Sequence, residues 1–259
     1  MLKLNFIKYE IHDDGIAFIN LNNKPVNALN LKLLEDLDKV INHIIDNNKC
    51  KLVVFRSLQK HFSAGADLKE RKRMSYNQAY KFLKKINSTF NKIENLQVPT
   101  IASINGAALG GGLELALCCD FRIASENSYL GLPETSLGII PGAGGIFRLS
   151  KIVGISKAKY WIFTAQKFSS ESAHEDGVVD FLSKEDELLG VTLEIAQEIL
   201  ENAPLALKAS KQLLNKYYDN IDNLNQIQEE AYSIVMESDD KKEALEAFLS
   251  KRKPNWKGK

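Results

Sequence analysis

The chain has 259 residues, a length that suits one large domain, or one domain plus a substantial appendage. Its apolar share of 44% and charged share of 26% are typical of a globular protein. The 34 basic and 33 acidic side chains leave a net charge of +1, which argues against general attraction to nucleic acid or to a membrane surface. Cys50, Cys118 and Cys119 are too few for a disulfide framework. We therefore expect a reducing compartment, namely the cytoplasm, or the mitochondrial matrix if a presequence has been removed.

The first half of the chain alternates strand and helix patterns. Residues 1–10 lack the apolar run of a signal peptide and are predicted to form a strand. Residues 16–21, 52–55 and 100–104 are short apolar runs, typical of buried strands. Between the first two of these runs, Asn30 is predicted to cap a helix with apolar side chains at helical spacing, namely Leu33, Leu37, Val40, Ile41 and Ile44. This alternation predicts an α/β fold with parallel crossovers.

The second half of the chain changes in character. Glycines concentrate between Gly65 and Gly145, and none occurs between Gly190 and Gly258. The middle segment is therefore expected to turn sharply, whereas the tail is predicted to be helical at residues 188–200, 205–217, 221–236 and 239–250. These helices are amphipathic, so we expect them to cover either the core or another subunit.

Several kinds of chemistry lack their sequence patterns. There is no Cys-x-x-Cys and no His-Glu-x-x-His, so no metal site is predicted. The glycine-rich segment at 142–147 ends in Phe147 where a dinucleotide-binding fingerprint requires a glycine or alanine. Neither a phosphate-binding P-loop nor a Gly-x-Ser-x-Gly nucleophile turn occurs.

Two loops are predicted to approach each other at the carboxyl ends of strands. Residues 105–112 contain four glycines between a buried strand and an apolar helix, and residues 62–69 follow the strand at 52–55. Glycines can serve tight strand–helix packing, but they also allow backbone N–H groups to point into a cavity at a helix N-terminus. Because parallel strands place such loops at one crevice, two N–H donors could form an oxyanion hole there.

Two acidic residues complete this candidate site. Glu114 lies in the first turn of an otherwise apolar helix, where compensation of the helix dipole is an equally good explanation. Glu134 lies among small and apolar neighbours, where a turn carboxylate is the alternative. Neither acid alone predicts a function, but together with the two candidate oxyanion loops these carboxyl groups form a testable candidate site.

The motifs in these segments resemble those of the crotonase (enoyl-CoA hydratase/isomerase) superfamily. The similarity is carried by residues 62–67, by residues 106–114 and by residues 133–145, and it extends over essentially the whole chain. Residues 65–71 and 112–117 look most similar to the branch that contains methylglutaconyl-CoA hydratase. The resemblance implies an α/β fold in which residues 1–190 form a crotonase-like spiral of ββα units. Residues 191–259 would then be a C-terminal helical trimerisation region, with trimers often paired into hexamers.

The resemblance also implies roles for individual residues. The backbone N–H groups of Ala66 and Gly111 would form the oxyanion hole. Because both family acids are present, hydration of an α,β-unsaturated acyl-CoA is favoured. The resemblance implies that Glu114 activates water and Glu134 protonates the α carbon, but the sequence itself leaves this division of roles open, because coupled carboxyl groups titrate as a pair. Coenzyme A would enter as part of the substrate thioester, so no separate cofactor is expected. The implied substrate-binding residues are Asn27, Ala28, Ala64, Asp67, Leu68, Lys69, Gly110, Pro133 and Gly142, with Phe248 and Lys251 from a neighbouring subunit.

Three alternatives remain open at the level of sequence. The substrate could be the branched, carboxylated 3-methylglutaconyl-CoA, which would need a cation or polar group in the acyl pocket. The reaction could also be isomerisation of a 3-enoyl-CoA. A third alternative is RNA binding through a cationic strip on a predicted helix, although a solvated helix face explains the strip at least as well. Its members are Lys69, Arg71, Lys72, Arg73, Lys81, Lys84 and Lys85.

Overall fold

The computed structural model describes residues 2–47, 49–216, 228, 232, 234–235 and 237–259, apart from the side chain of Phe248. The strands of this part of the chain are β1 (Ile7–Ile11), β2 (Ile16–Leu21), β3 (Leu52–Ser57), β4 (Thr100–Ile104), β5 (Ala107–Leu109), β6 (Phe121–Ser125), β7 (Tyr129–Gly131), β8 (Phe168–Ser169) and β9 (Phe181–Ser183). The helices are α1 (Leu31–Ile45), α2 (Leu68–Lys72), α3 (Tyr76–Glu94), α4 (Gly111–Ala116), α5 (Gly145–Thr164), α6 (Ser170–Glu175), α7 (Leu188–Leu200), α8 (Pro204–Lys216) and α9 (Asp239–Leu249), with a 3₁₀-helix at Pro133–Leu137.

A six-stranded sheet forms the centre of the fold, in the order β1-β2-β3-β4-β6-β9. β1 pairs antiparallel with β2, and every other neighbouring pair is parallel. Alternate side chains of the strands enter two different cores, because successive residues of a strand point to opposite faces. Val53 and Phe55 pack with α1 and α3 on one face, whereas Leu52 and Val54 pack with α7 on the other. Burial on both faces explains the continuous apolar runs of these strands.

A second, smaller layer stacks successive turns of the chain. β5 pairs parallel with β7, and β7 pairs antiparallel with β8. Isolated parallel bridges join Ser63 to Ala108 and Leu29 to Ala66, so the loops after β3 and β4 lie side by side. Residues 105–112 were predicted to form a loop. β5 lies within it, because pairing with β7 imposes a strand on an Ala-Ala-Leu segment that has weak strand propensity of its own.

Most of the predicted elements are confirmed. The side chain of Asn30 accepts a hydrogen bond from the N–H of Leu33 at 2.9 Å and so caps α1, as predicted. α7 has the predicted bounds, while α8 and α9 differ by a residue or two from the prediction. The first strand begins only at Ile7. The predicted helix at 221–236 lies largely outside the described residues.

The tail is joined to the sheet at two places. α7 covers one face of the sheet through Leu188 and Ala196. On α8, the buried ammonium group of Lys211 forms an ion pair with Asp120, the residue before β6. Among the described residues, no helix has both the length and the apolar character needed to cross a membrane. All three cysteines are free and buried, which agrees with the absence of a disulfide framework.

Candidate active site

A cavity of about 1250 Å³ opens where the loops after β3 and β4 meet. β3 and β4 are parallel neighbours, so their carboxyl ends deliver both loops to the same edge of the sheet, as predicted. α3 and the loop before α5 form the opposite wall of the cavity. The predicted site residues that line it are Ala64, Ala66, Leu68, Gly110, Gly111, Glu114, Pro133, Glu134 and Gly142.

The amide groups of Ala66 and Gly111 lie next to each other at this cavity. A Cβ atom built on Gly111 would lie 3.7 Å from the nitrogen of Ala66, and one built on Gly65 would lie 3.2 Å from the nitrogen of Gly111. Neither N–H group donates a hydrogen bond to any acceptor in the described part of the chain. Buried N–H groups normally have a hydrogen-bond acceptor. Two adjacent N–H groups that face a cavity without one are suited to bind an oxygen atom that gains negative charge.

Gly110 fixes the direction of the loop that carries Gly111. Its φ of 52° and ψ of −126° lie in a region that L side chains rarely adopt. Its N–H donates to the carbonyl of Gly131 at 2.9 Å, which ties the loop to β7. A Cβ at this position would also lie 2.9 Å from Oε1 of Glu134. Glycine therefore satisfies both the backbone conformation and the close approach of a carboxyl group.

Glu114 is held as a buried carboxyl group on α4 and is 3% exposed. Its Oε1 accepts hydrogen bonds from the N–H groups of Ala143, at 2.7 Å, and Gly145, at 2.9 Å. Burial raises the pKa of this carboxyl group, while the two N–H donors and the charge of Arg148 act in the opposite direction. The hydrogen bonds therefore favour the charged form and orient the side chain.

Glu134 lies in the 3₁₀-helix, lines the same cavity and is 8% exposed. Its Oε2 is buried and has no hydrogen-bond partner among the described residues. Burial, followed by the negative charge of Glu114, raises the pKa of Glu134 to about 7. A carboxyl group with this pKa exchanges its proton near neutral pH, which suits a general acid.

The residues that support Glu114 were not predicted from the sequence. Arg148 is buried on α5 and bonds to the carbonyl of Ala143, to Asn91 and to Glu94, and Asn87 bonds to the carbonyl of Gly142. The sequence did offer one signal for Arg148, namely a charged residue among apolar ones in a helix that follows a glycine-rich loop. The pattern does not reveal the partners of Arg148, because Glu94 and Asn91 precede it by 54 and 57 residues and lie on α3.

Five of the remaining predicted substrate-binding residues do not line the cavity. Asn27 is fully buried, and its side chain bonds to Ser57 and to the backbone of residues 23, 61 and 62. Ala28 is half-buried beside it, and Asp67 caps α2 by accepting from the N–H groups of residues 69 and 70. Lys69 and Lys251 are exposed. The side chain of Phe248 lies outside the described part of the structure.

The predicted cationic strip does not lie on one helix. Arg71 and its neighbours belong to α2 or follow it directly, whereas Lys81, Lys84 and Lys85 belong to α3. Lys85 is bonded to Asp38 at 2.6 Å, and the Arg71 guanidinium lies over the ring of Phe82 at 4.8 Å. The prediction of a single basic helix face was therefore wrong, because the chain turns between residues 72 and 76. Within the described residues, no cluster of three or more His, Cys, Asp or Glu side chains could hold a metal ion.

Comparison with known proteins agrees with this geometry. The sequence matches the model of the enoyl-CoA hydratase/isomerase family over residues 12–259. A probable mitochondrial enoyl-CoA hydratase 2 of Arabidopsis thaliana is 42% identical over 250 residues, which are 95% of this chain and 83% of the plant protein. A short-chain-enoyl-CoA hydratase of Clostridium acetobutylicum is 41% identical over 255 residues, which are 97% of each protein.

The solved structures agree as well. The crystal structure of an enoyl-CoA hydratase from Bacillus anthracis matches with a TM-score of 0.95 and 38% identity, covering 98% of this chain and 100% of the other. This match confirms the predicted crotonase-like α/β fold. Sequence and structure thus agree that the chain belongs to the enoyl-CoA hydratase/isomerase family.

Proposed function

We propose that the protein is an enoyl-CoA hydratase, which adds water across the 2,3 double bond of an α,β-unsaturated acyl-CoA. The observation that carries this proposal is the position of the Ala66 and Gly111 amide N–H groups at one cavity with two buried carboxyl groups. Neither N–H group has a hydrogen-bond acceptor among the residues that the structure describes. The family and the relatives named as hydratases support it.

The oxyanion hole accounts for activation of the thioester. Attack of water at the β carbon moves electron density to the thioester oxygen, which becomes an enolate oxygen. The two N–H groups are fixed before this charge appears, so they stabilise the enolate without reorganisation, and one such donor is worth roughly 10²–10³ in rate. The substrate carbonyl would therefore lie between Ala66 and Gly111.

The different environments of the two carboxyl groups suggest how they divide the proton transfers. Glu114 receives two N–H hydrogen bonds, which favour its carboxylate form, so it would accept a proton from water as the oxygen–β-carbon bond forms. Glu134 has a pKa of about 7 and an unpaired oxygen, so it would donate its proton to the α carbon. The product is a 3-hydroxyacyl thioester, and return of one proton from Glu114 to Glu134 restores the site.

The binding of coenzyme A is proposed for the rim of this cavity. Ala64 and Leu68 line it, and Lys69 is exposed nearby on α2, where an ammonium group could meet a phosphate. Asn27 and Ala28 would support this rim from behind. Phe248 and Lys251 would act on a neighbouring subunit within a homotrimer, or within a hexamer made of two trimers. No cofactor besides the substrate's own coenzyme A is proposed, and a cytoplasmic location stays a prediction.

Loss of the conjugated thioester absorbance of crotonyl-CoA and hexenoyl-CoA tests the proposal directly. We expect hydration of both substrates, and we expect Glu114→Gln to lower kcat by roughly 10²–10⁴ because the base is lost. A folded wild-type protein that hydrates neither substrate would contradict the proposal, and near-wild-type kcat in Glu114→Gln would remove Glu114 from the mechanism.

One observation favours a second substrate, 3-methylglutaconyl-CoA, which carries a carboxylate on its acyl chain. Arg71 lines the same cavity, and its Nη1 is buried without a hydrogen-bond partner among the described residues. A substrate carboxylate would supply that partner. The comparison of kcat/KM for crotonyl-CoA and methylglutaconyl-CoA, in the wild type and in Arg71→Met, separates the two substrates. A 3-enoyl-CoA in the same assay tests for isomerisation.

A further inference from the structure

Arg148 connects α3 to the loop that holds Glu114. Its side chain is 7% exposed. Nε and Nη2 donate to Oε2 of Glu94 at 3.1 and 2.7 Å, and Nη2 also donates to Oδ1 of Asn91 at 2.9 Å. Nη1 donates to the carbonyl of Ala143 at 2.7 Å. One guanidinium group thus binds two side chains of α3 and one backbone carbonyl of the loop before α5.

The carbonyl of Ala143 is adjacent to the amides that bind Glu114. The N–H of Ala143 and the N–H of Gly145 both donate to Oε1 of Glu114. The peptide group that contributes the Ala143 N–H is also held at its carbonyl, on Gly142, by the side-chain amide of Asn87 at 2.7 Å. Asn87 on α3 thus holds the peptide group that donates to Glu114 through the Ala143 N–H. Arg148, itself bound to α3, holds the next peptide group, which lies between the two peptide groups that donate to Glu114. Hydrogen bonds linked in this way polarise and strengthen one another.

Few other charges act on Glu114. Glu134 approaches from the 3₁₀-helix, Arg148 from α5, and Glu94 lies on α3 behind Arg148. Cys118, on the helical turn after Glu114, donates through Sγ to the backbone carbonyl of Glu114 at 3.1 Å, and burial raises the pKa of its thiol, which keeps it neutral. The charge of Arg148 thus lowers the pKa of Glu114, and two further cations, Arg71 and Lys151, line the same cavity.

We propose that Arg148 is a positioning residue, which binds the loop of residues 142–145 against α3 and so presents the Ala143 and Gly145 amides to Glu114. This inference rests on the proposed hydratase function for its kinetic consequences. Two effects are expected together, because the guanidinium supplies both the hydrogen bonds that place the loop and a positive charge near the carboxylate.

Two variants on the same ion pair give the central test. In Arg148→Gln the positive charge is lost, so the pKa of Glu114 should rise, and the acid limb of kcat/KM for crotonyl-CoA should move up by about one pH unit. In Glu94→Gln a hydrogen-bond acceptor for Arg148 remains, but the negative charge that offsets the Arg148 charge is lost. The pKa of Glu114 should therefore fall, and the acid limb of kcat/KM should move to lower pH. kcat of Arg148→Gln should fall roughly 10–100-fold with KM for crotonyl-CoA little changed, because a displaced base affects the chemical step more than binding.

Arg122→Gln is the matched control. Arg122 is an equally buried arginine, with a side chain 5% exposed and an ion pair to Asp180 at 2.9 Å, and it does not line the cavity. Loss of a buried ion pair should lower the thermal stability of both arginine variants, but Arg122→Gln should keep the wild-type kcat and pH profile. Equal losses of kcat in the two variants would overturn the proposal, as would limb shifts of the same sign in Arg148→Gln and Glu94→Gln.

A second measurement does not depend on activity. The infrared absorbance of carboxyl groups is titrated in each protein and in the same protein carrying Glu114→Gln. The difference between the two titrations gives the pKa of Glu114. The pKa of Glu114 should be higher in Arg148→Gln than in the wild type and lower in Glu94→Gln. An inactive wild type that shows these shifts would refute the proposed function and support the positioning role, whereas an active wild type with an unchanged Glu114 pKa in both variants would refute the positioning role alone.

Discussion

Glu114 and Glu134 share one cavity but differ in the groups around their oxygen atoms. Two amide donors and a nearby arginine act on Glu114, whereas Oε2 of Glu134 has no hydrogen-bond partner among the described residues. Because like charges at one site oppose joint ionisation, the ionised form of Glu114 helps to keep Glu134 protonated. The two carboxyl groups are thus suited to opposite directions of proton transfer.

The first residue-scale prediction concerns the pH dependence of hydration. Glu134 must be protonated to donate to the α carbon, so kcat/KM for crotonyl-CoA should fall as the pH rises through the Glu134 pKa of about 7. Glu134→Gln cannot donate in this way, so its kcat should be lower by roughly 10²–10⁴ and the basic limb should disappear. Rate profiles between about pH 5 and 9 measure both effects. Retention of the same basic limb in the variant would assign that limb to another group.

The same carboxyl group should reduce stability at high pH. Below its ordinary value of 4.5, Glu134 is neutral in the folded and the unfolded chain, so burial of its charge has no cost. The cost grows as the pH rises from 4.5 to about 7, because the unfolded chain ionises first, and it is complete above the folded pKa. Glu134→Gln should therefore raise the free energy of unfolding at pH 8 and have a smaller effect at pH 5. Urea unfolding at both pH values measures the difference, and an equal change at both would exclude this cause.

At the scale of elements, local patterns were enough wherever the signal lies within one segment. The period-3.6 face of α1, the Asn30 cap and the continuous apolar runs of β2, β3 and β4 are all determined by neighbouring residues. Adjacent parallel strands then made the meeting of the two loops predictable, whereas the choice of Ala66 and Gly111 within them came from the resemblance to the family. Contacts between distant segments left no such pattern, which is why the pairing of β5 with β7 and the binding of Arg148 to α3 appear only in the structure.

The loop between β5 and α4 gives an element-scale prediction. Gly110→Ala would place a Cβ 2.9 Å from Oε1 of Glu134 at a positive φ, so the loop and the acid should both shift. A misplacement of about 1 Å can cost on the order of 10² in rate, and we expect kcat for crotonyl-CoA to fall by about that factor. The backbone strain should also lower the free energy of unfolding by about 1–3 kcal/mol.

Gly177→Ala provides the control for backbone strain alone. Gly177 has a φ of +80°, and a Cβ built there meets no atom within 4 Å. Its alanine variant should lose a similar amount of stability but keep the wild-type kcat. If Gly177→Ala reduced kcat as strongly as Gly110→Ala, loss of activity would follow from strain in general and not from the contact with Glu134.

At the scale of the whole molecule, the helical tail and the sheet meet through an ion pair as well as through apolar contacts. Nζ of Lys211 on α8 donates to Oδ2 of Asp120 at 2.8 Å and to the carbonyl of Val98 at 2.9 Å. The same Oδ2 accepts from the N–H of Thr100 at 2.7 Å. The Asp120 carboxylate, just before β6, thus binds both the first residue of β4 and a lysine of α8. None of these residues lines the cavity, so stability and catalysis should separate here.

Lys211→Met tests this attachment. Removal of one partner leaves Asp120 partly buried without its cation, and breaking such a pair costs about 3–5 kcal/mol. We expect a loss of about 3 kcal/mol, at the lower end of that range, because Asp120 keeps its bonds to Thr100. Lys208→Met on the same helix is the control, since the Lys208 ammonium makes no ion pair with the described residues, and it should change stability by less than about 0.5 kcal/mol.

Urea unfolding compares the two lysine variants, and crotonyl-CoA hydration is measured well below their transitions. Equal stabilities of Lys211→Met and Lys208→Met would show that apolar packing of α7 and α8 alone holds the tail. A lower kcat in folded Lys211→Met would instead show that the attachment of the tail reaches the site. The route would run through Thr100 and β4, because β4 leads directly into the loop that carries Gly110 and Gly111.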